Sequence, residues 1–199
     1  RDGLQNLPHV PSTEDKIQLI KHLRDAGLTQ IEITSFVHPK AVPNMADAEQ
    51  VCAAFDDKTG FSVLVPNQRG MDRAIASGMT HYNIFFSPCD TFNVANYGLK
   101  LERILDNYEE ALDGIDPDIV RVYISEAFES SKESLALAIQ HGLRFGKRIV
   151  LCDTKGTATP FDIATGIEIA QEFTHDLSLH LHHGKHLMNN VSTGYANGV

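Results

Sequence analysis

His180 and His182 stand two residues apart in the run Leu179-His180-Leu181-His182-His183. In a strand, residues two apart project from one face. Two imidazoles side by side at a strand end are either satisfied strand residues or a chelating pair for a divalent ion. Asp2 is the candidate for a third, oxygen ligand. Two imidazoles and one carboxylate leave coordination positions open for substrate oxygens. Arg1, beside Asp2, offers a positive donor for a developing oxyanion, although Arg-Asp-Gly is also a common turn tripeptide. Asp153, in Cys152-Asp153-Thr154-Lys155-Gly156, reads either as a turn carboxylate or as a group at the site. Glu32 interrupts the apolar run Ile31-Glu32-Ile33. A buried carboxylate is costly unless it is paired, so Glu32 needs a cationic partner or a chemical role. His183 points to the opposite face and His186 falls in the next turn, and both read as surface residues. Cys152 reads as a residue that packs inward.

The elements that must position these groups alternate regularly. Arg1 to Asn6 reads as a polar turn. Ser12 and Asp15 have capping-box spacing and open a helix that stops near Gly27. A strand follows over 30–34, then a helix from Asn44 to about Phe55, and a strand over 61–65 closed by Pro66. Asn67 caps a helix that ends at Gly78, and a strand over 82–86 follows. A helix over 102–112, a strand over 119–124, a helix over 132–145 and a strand over 148–152 come next. Thr159-Pro160 is a cap followed by a first-turn proline, and its helix runs to about Phe173. The strand over 177–181 and a helix to about Asn197 complete the chain. Strict alternation with short connections predicts a parallel sheet with right-handed crossovers. No G-x-G-x-x-G follows any strand, so a dinucleotide-binding sheet has no support. The polar residues singled out here lie at strand C-terminal ends, where barrel enzymes place their sites. The expected fold is therefore an α/β class (β/α)8 barrel over residues 1–199. It is expected to be a single partial catalytic domain, incomplete at both ends because a full barrel takes about 250 residues.

Bulk composition narrows the partners. Among 199 residues, 17 Lys and Arg face 26 Asp and Glu, for a net charge of −9. That balance argues against nucleic acid as a partner. No apolar run reaches membrane-spanning length, so neither a membrane span nor a secretory leader is expected. Three cysteines without C-x-x-C spacing fit reduced thiols in a cytoplasmic compartment, or the mitochondrial matrix of a eukaryote. An open barrel edge would leave backbone groups unpaired, and a homo-oligomer is the expected remedy.

Four motifs occur in order: Arg1-Asp2-Gly3-Leu4-Gln5-Asn6; Glu32-Ile33-Thr34-Ser35-Phe36-Val37-His38-Pro39-Lys40 with Val42-Pro43-Asn44-Met45-Ala46-Asp47; Asp153-Thr154-Lys155-Gly156 with Thr159-Pro160; and His180-Leu181-His182. Together they resemble the 3-hydroxy-3-methylglutaryl-CoA lyase branch of the barrel metallolyases and acyl-CoA Claisen synthases. The second motif is the most specific and resembles the lyases rather than the synthases. The resemblance implies a (β/α)8 barrel, an Mg2+ or Mn2+ ion, an acyl-CoA substrate, and retro-Claisen cleavage to acetyl-CoA and a ketoacid. It implies Asp2, His180 and His182 as metal ligands. It also implies Arg1, Glu32, Asp153 and His180 as catalytic residues, and Gln5 as a substrate-side polar residue. Arg1 then becomes the expected cationic neighbour of Glu32. The chain differs from the family after its strand over 119–124, where Ser125-Glu126-Ala127-Phe128-Glu129 replaces a Cys-Pro loop. For the phosphates of coenzyme A, the available cations are Arg69, Lys147, Arg148 and Lys185.

Overall fold

The computed structural model describes residues 1–199. It divides into two compact units, Arg1–Asn83 and Ile84–Val199.

The first unit begins with a single helical turn, α1 (Asp2–Gln5), where the sequence predicts only a turn. It continues through α2 (Thr13–Asp25) and β1 (Ile31–Ser35). The Ser12 side chain accepts from the Asp15 backbone N–H, the N-cap bond that the spacing predicts. The helix expected after Asn44 divides into a 3-10 turn, Pro43–Met45, and a short α3 (Ala48–Ala53). Proline opens the 3-10 turn, and the Asn44 side chain bonds to distant carbonyls rather than to the helix that follows. β2 (Phe61–Leu64) and α4 (Gln68–Ala76) come next, with Asn67 accepting from Gly70 N–H as its cap. β1 and β2 run parallel, and their register slips between Glu32 and Thr34. This bulge at Ile33 alters the phase of the strand beside Glu32, a place where bulges commonly re-aim a side chain. Ile33, Phe36, Met45, Val51 and Val63 build the core of this unit.

β3 (Tyr82–Phe86) leads from the first unit into the second. The next helix, α5 (Asp90–Tyr97), is absent from the sequence expectation. Its Thr, Asn, Val and Tyr are indifferent helix formers. Tertiary bonds compensate: buried Asn93 accepts from Ser87 N–H at 2.9 Å and donates to Ser87 O at 2.8 Å. Then follow α6 (Leu101–Ala111), β4 (Val120–Ile124), α7 (Lys132–Gly142), β5 (Arg148–Asp153), α8 (Pro160–Gln171), β6 (Leu177–Leu181) and α9 (Leu187–Ala196). β4, β5 and β6 pair in parallel, and Cys152 and Asp153 lie opposite His180 and Leu181. The strand order in the sheet follows the chain, β1 to β6. That sequential, all-parallel order is the one a (β/α)8 barrel uses. Strands such as β5 are buried along nearly their whole length, as strands covered on both faces must be. No helix is long and apolar enough to cross a membrane.

Candidate active site

In the first unit, Arg1 and Glu32 form a partly buried ion pair. Arg1 Nε donates to Glu32 Oε1, and the Arg1 backbone nitrogen donates to Glu32 O at 2.9 Å. The pairing predicted for Glu32 is therefore present, and it answers the desolvation cost of a carboxylate in an apolar strand. Arg1 Nη1 also reaches Gln5 Oε1 at 3.0 Å and Asp2 Oδ1 at 3.2 Å. One guanidinium thus gathers Asp2, Gln5 and Glu32. Its planar fork of donors makes this possible where a lysine would not.

The other oxygen of Glu32 accepts from Asn83 Nδ2. Asn83 is wholly buried, and its Nδ2 also lies 3.0 Å from Ser62 Oγ. Sequence reasoning missed Asn83. The signal was present, since Asn83 interrupts Tyr82-Asn83-Ile84-Phe85-Phe86 as Glu32 interrupts its own run. A neutral amide is cheaper to bury than a carboxylate and drew less attention.

In the second unit, His180 and His182 project together, with ring centroids 4.7 Å apart. Each offers a ring nitrogen within 4.8 Å of the other's. Tyr123 packs against His180 at 5.8 Å. His182 Nδ1 lies 2.8 Å from the backbone oxygen of Asp153. A carbonyl only accepts, so Nδ1 carries a hydrogen, and in the neutral ring the lone pair then lies on Nε2. Bonds of this kind orient the imidazoles of metal-binding histidines. The donor set therefore fits a divalent ion: two partly buried imidazoles at a strand end, one of them already in the ligating tautomer. His183 is exposed and His186 occupies the N-cap of α9, as their surface reading anticipates.

Asp153 is buried at the end of β5, and its Oδ1 accepts from Thr157 N–H at 3.0 Å and Ala158 N–H at 3.2 Å. It is a turn carboxylate in the literal sense, held in place by two main-chain donors. Beside it, Lys155 pairs with the buried carboxylate of Glu126 at 2.8 Å. The hydrogen bond and charge of Glu126 raise the Lys155 ammonium above its ordinary value. Glu126 takes a left-handed φ of 52°, alone among the non-glycine residues, and its N–H donates to Thr154 Oγ1 at 2.8 Å. No spacing or composition signal in the sequence marks Glu126. Cys52 is an unreactive core thiol, pushed up to about 12 by burial. Of the cations considered for phosphates, Lys147 is engaged with Asp118 and Arg148 with Asp176.

The family model described as HMGL-like matches residues 1–199. The chain belongs to the HMGL-like family. It is 34% identical over 196 residues to the hydroxymethylglutaryl-CoA lyase YngG of Bacillus subtilis, covering 92% of this chain and 65% of that protein. It is 33% identical over 218 residues to the (R)-citramalyl-CoA lyase of Chloroflexus aurantiacus, covering 99% of this chain and 68% of the relative. The chain thus spans about two thirds of the length of these curated relatives. Among solved structures, the HMG-CoA lyase of Brucella melitensis superposes with a TM-score of 0.92 at 30% identity, covering all of this chain and 75% of that one. An HMG-CoA lyase from Acinetobacter baumannii, solved in complex with coenzyme A and 3-methylmalate, gives the same TM-score at 28% identity, over all of this chain and 70% of its own. The α/β barrel architecture predicted from alternating helices and strands is the one this HMGL-like chain shares with them.

Proposed function

We propose that this chain carries the site of a divalent-metal-dependent carbon–carbon lyase that cleaves 3-hydroxy-3-methylglutaryl-CoA to acetyl-CoA and acetoacetate. The observation that carries the reading is the His180–His182 pair, with His182 Nδ1 on the Asp153 carbonyl. Asp2 is the proposed third ligand, for Mg2+ or Mn2+. When bound, such an ion polarises the substrate oxygens and lowers the pKa of the tertiary hydroxyl. Asp153 is the proposed base. Its Oδ1 is fixed by two main-chain donors, so the carboxylate is held ready to take the hydroxyl proton. The collapsing alkoxide becomes the ketone of acetoacetate, the electron pair of the breaking bond passes to the thioester as an enolate, and a proton from solvent taken up at the enolate carbon completes acetyl-CoA. Arg1 supplies the positive donor for that enolate oxygen. Glu32 and Asn83 keep the Arg1 head group from swinging away. Gln5, already drawn in by Arg1, is proposed to present its amide to the acyl chain.

A second substrate has specific support: the citramalyl-CoA lyase relative matches 99% of this chain. Citramalyl-CoA presents the same β-hydroxy thioester and would release pyruvate instead of acetoacetate. The test is a calorimetric titration with Mn2+ and Mg2+, followed by product assay on both thioesters. Binding that vanishes in His182→Ala, with release of acetoacetate, supports the reading. Pyruvate release transfers it to the second substrate. Absence of both metal binding and cleavage refutes it.

A further inference from the structure

A four-residue helix cannot hold itself in place, because nucleation is unfavourable and its last carbonyls lack intrahelical partners. Helix α1 nevertheless follows Arg1 directly and begins with Asp2. One side chain supplies what it lacks. Asn44 Nδ2 donates to the carbonyls of Leu4 at 2.9 Å, Leu7 at 3.1 Å and Gln5 at 3.2 Å. Two hydrogens thus serve three acceptors, at the end of α1 and just beyond it.

Asn44 is itself anchored at a cost. Its backbone oxygen accepts from Lys16 Nζ at 2.6 Å, and Lys16 is only 3% exposed. The same ammonium bonds to Asp47 Oδ1 at 2.7 Å, and Asp47 Oδ2 accepts from Thr13 Oγ1 at 2.7 Å. Burying an ammonium is unfavourable unless its bonds are well made. Here they converge on the one turn that holds the helix of Arg1, Asp2 and Gln5.

We infer that Asn44 is a positioning residue for the lyase reaction: it fixes α1, and through it Arg1, Asp2 and Gln5, while Lys16, Asp47 and Thr13 tie Asn44 to α2. The inference rests on the reading of Arg1, Asp2 and Gln5 as site residues. Asn44 touches none of the reacting atoms, so its substitution acts through geometry alone.

The test uses the full chain with Asn44→Ala, Asn44→Asp and Asn44→Gln. Hydrogen exchange is followed at the amides of Leu4, Gln5 and Leu7, which bond within this turn. Mn2+ affinity, kcat and KM for 3-hydroxy-3-methylglutaryl-CoA, and the thermal midpoint are measured alongside. The alanine variant should stay folded, lose protection at these three amides, and bind Mn2+ about tenfold more weakly, the lower end of what losing an outer-shell partner costs. Its kcat should fall by a larger factor than KM rises. The aspartate variant should be worse, because it turns a carboxylate toward three carbonyls. The glutamine variant keeps both donors and should recover part of the affinity. Unchanged exchange and affinity in the alanine variant overturn the inference. So does a loss that tracks global unfolding and disappears on cooling. If the alanine variant fails to fold, the glutamine variant decides: lost protection at the three amides together with a fall in kcat supports the inference, and lost protection with wild-type kcat, or lost kcat with wild-type exchange, overturns it. If the wild type neither binds Mn2+ nor cleaves the thioester, the lyase reading falls, and exchange alone then judges whether Asn44 fixes α1.

Discussion

The two units hold their chemistry-bearing side chains in different ways. In the first, side chains hold one another: Arg1 gathers Asp2, Gln5 and Glu32, and Asn83 closes on the far oxygen of Glu32. In the second, the main chain does the holding. Asp153 is fixed by the amides of Thr157 and Ala158, and His182 by the carbonyl of Asp153. A web of charges fails when one charge is removed, because its partner stays buried and unpaired. A site held by backbone tolerates loss of charge but not a change in the path of the loop.

The largest effect should come from breaking the web. Arg1→Met leaves Glu32 in an apolar strand without its cation and should cost about 3 kcal/mol, the usual penalty for halving a buried pair. Urea denaturation measures it. The double variant Arg1→Met/Glu32→Leu should recover most of that stability while remaining inactive. If the single variant costs nothing, the pair is not what secures this corner.

Next comes the path of the loop in the second unit. Gly156 has φ +67°, and a Cβ there would sit 2.5 Å from the His183 carbonyl oxygen. Gly156→Ala should therefore exceed the roughly 1–2 kcal/mol cost of a left-handed L-residue. Gly198→Ala is the control, with φ +80° and open space around its Cβ. The difference between the two isolates the collision. Only Gly156→Ala should also weaken Mn2+ binding, because its loop begins directly after Asp153, whose carbonyl orients His182.

Asp153→Asn separates fixing from chemistry. An amide oxygen can still accept from Thr157 and Ala158, so stability should change by no more than about 1 kcal/mol. Turnover should fall on the order of a hundredfold, as expected on losing a general base. A large loss of stability with turnover intact would reverse the roles assigned here.

The smallest effect lies away from both sites. Arg73 grips Glu49 through two bonds, of 2.6 and 3.1 Å, and holds its carboxyl below the usual carboxylate range. The folded pKa is thus lower than the unfolded one. The contribution is present above the unfolded pKa, near 4.5, and is lost as pH falls through the folded value. The pair is largely solvent-screened and contributes about half a kcal/mol or less. Glu49→Gln should slightly flatten the acid limb of a stability–pH curve and leave neutral stability nearly unchanged.

Periodicity determined much of this protein in advance. Helix–strand alternation, the caps at Ser12, Asn67 and Thr159, and the strand positions are local properties, and the structure keeps them. The paired projection of His180 and His182 follows from the two-residue period of a strand. The cost of burying Glu32 correctly demanded a cation, and Arg1 was the expected one. Other features depend on contacts between distant residues. Helix α1 exists because Asn44, some 40 residues on, supplies its missing donors. Helix α5 exists because Asn93 ties it to Ser87 despite weak propensity. Asn83 became part of the Glu32 network because pairing of β1, β2 and β3 brings the two strands' polar residues together. Glu126 was illegible because its burial and left-handed backbone are imposed by Thr154 and Lys155 from the next strand's loop. Local sequence dictates period and propensity. Which side chain satisfies a buried charge or an orphaned carbonyl is decided only when the packed chain brings distant donors and acceptors within bonding distance.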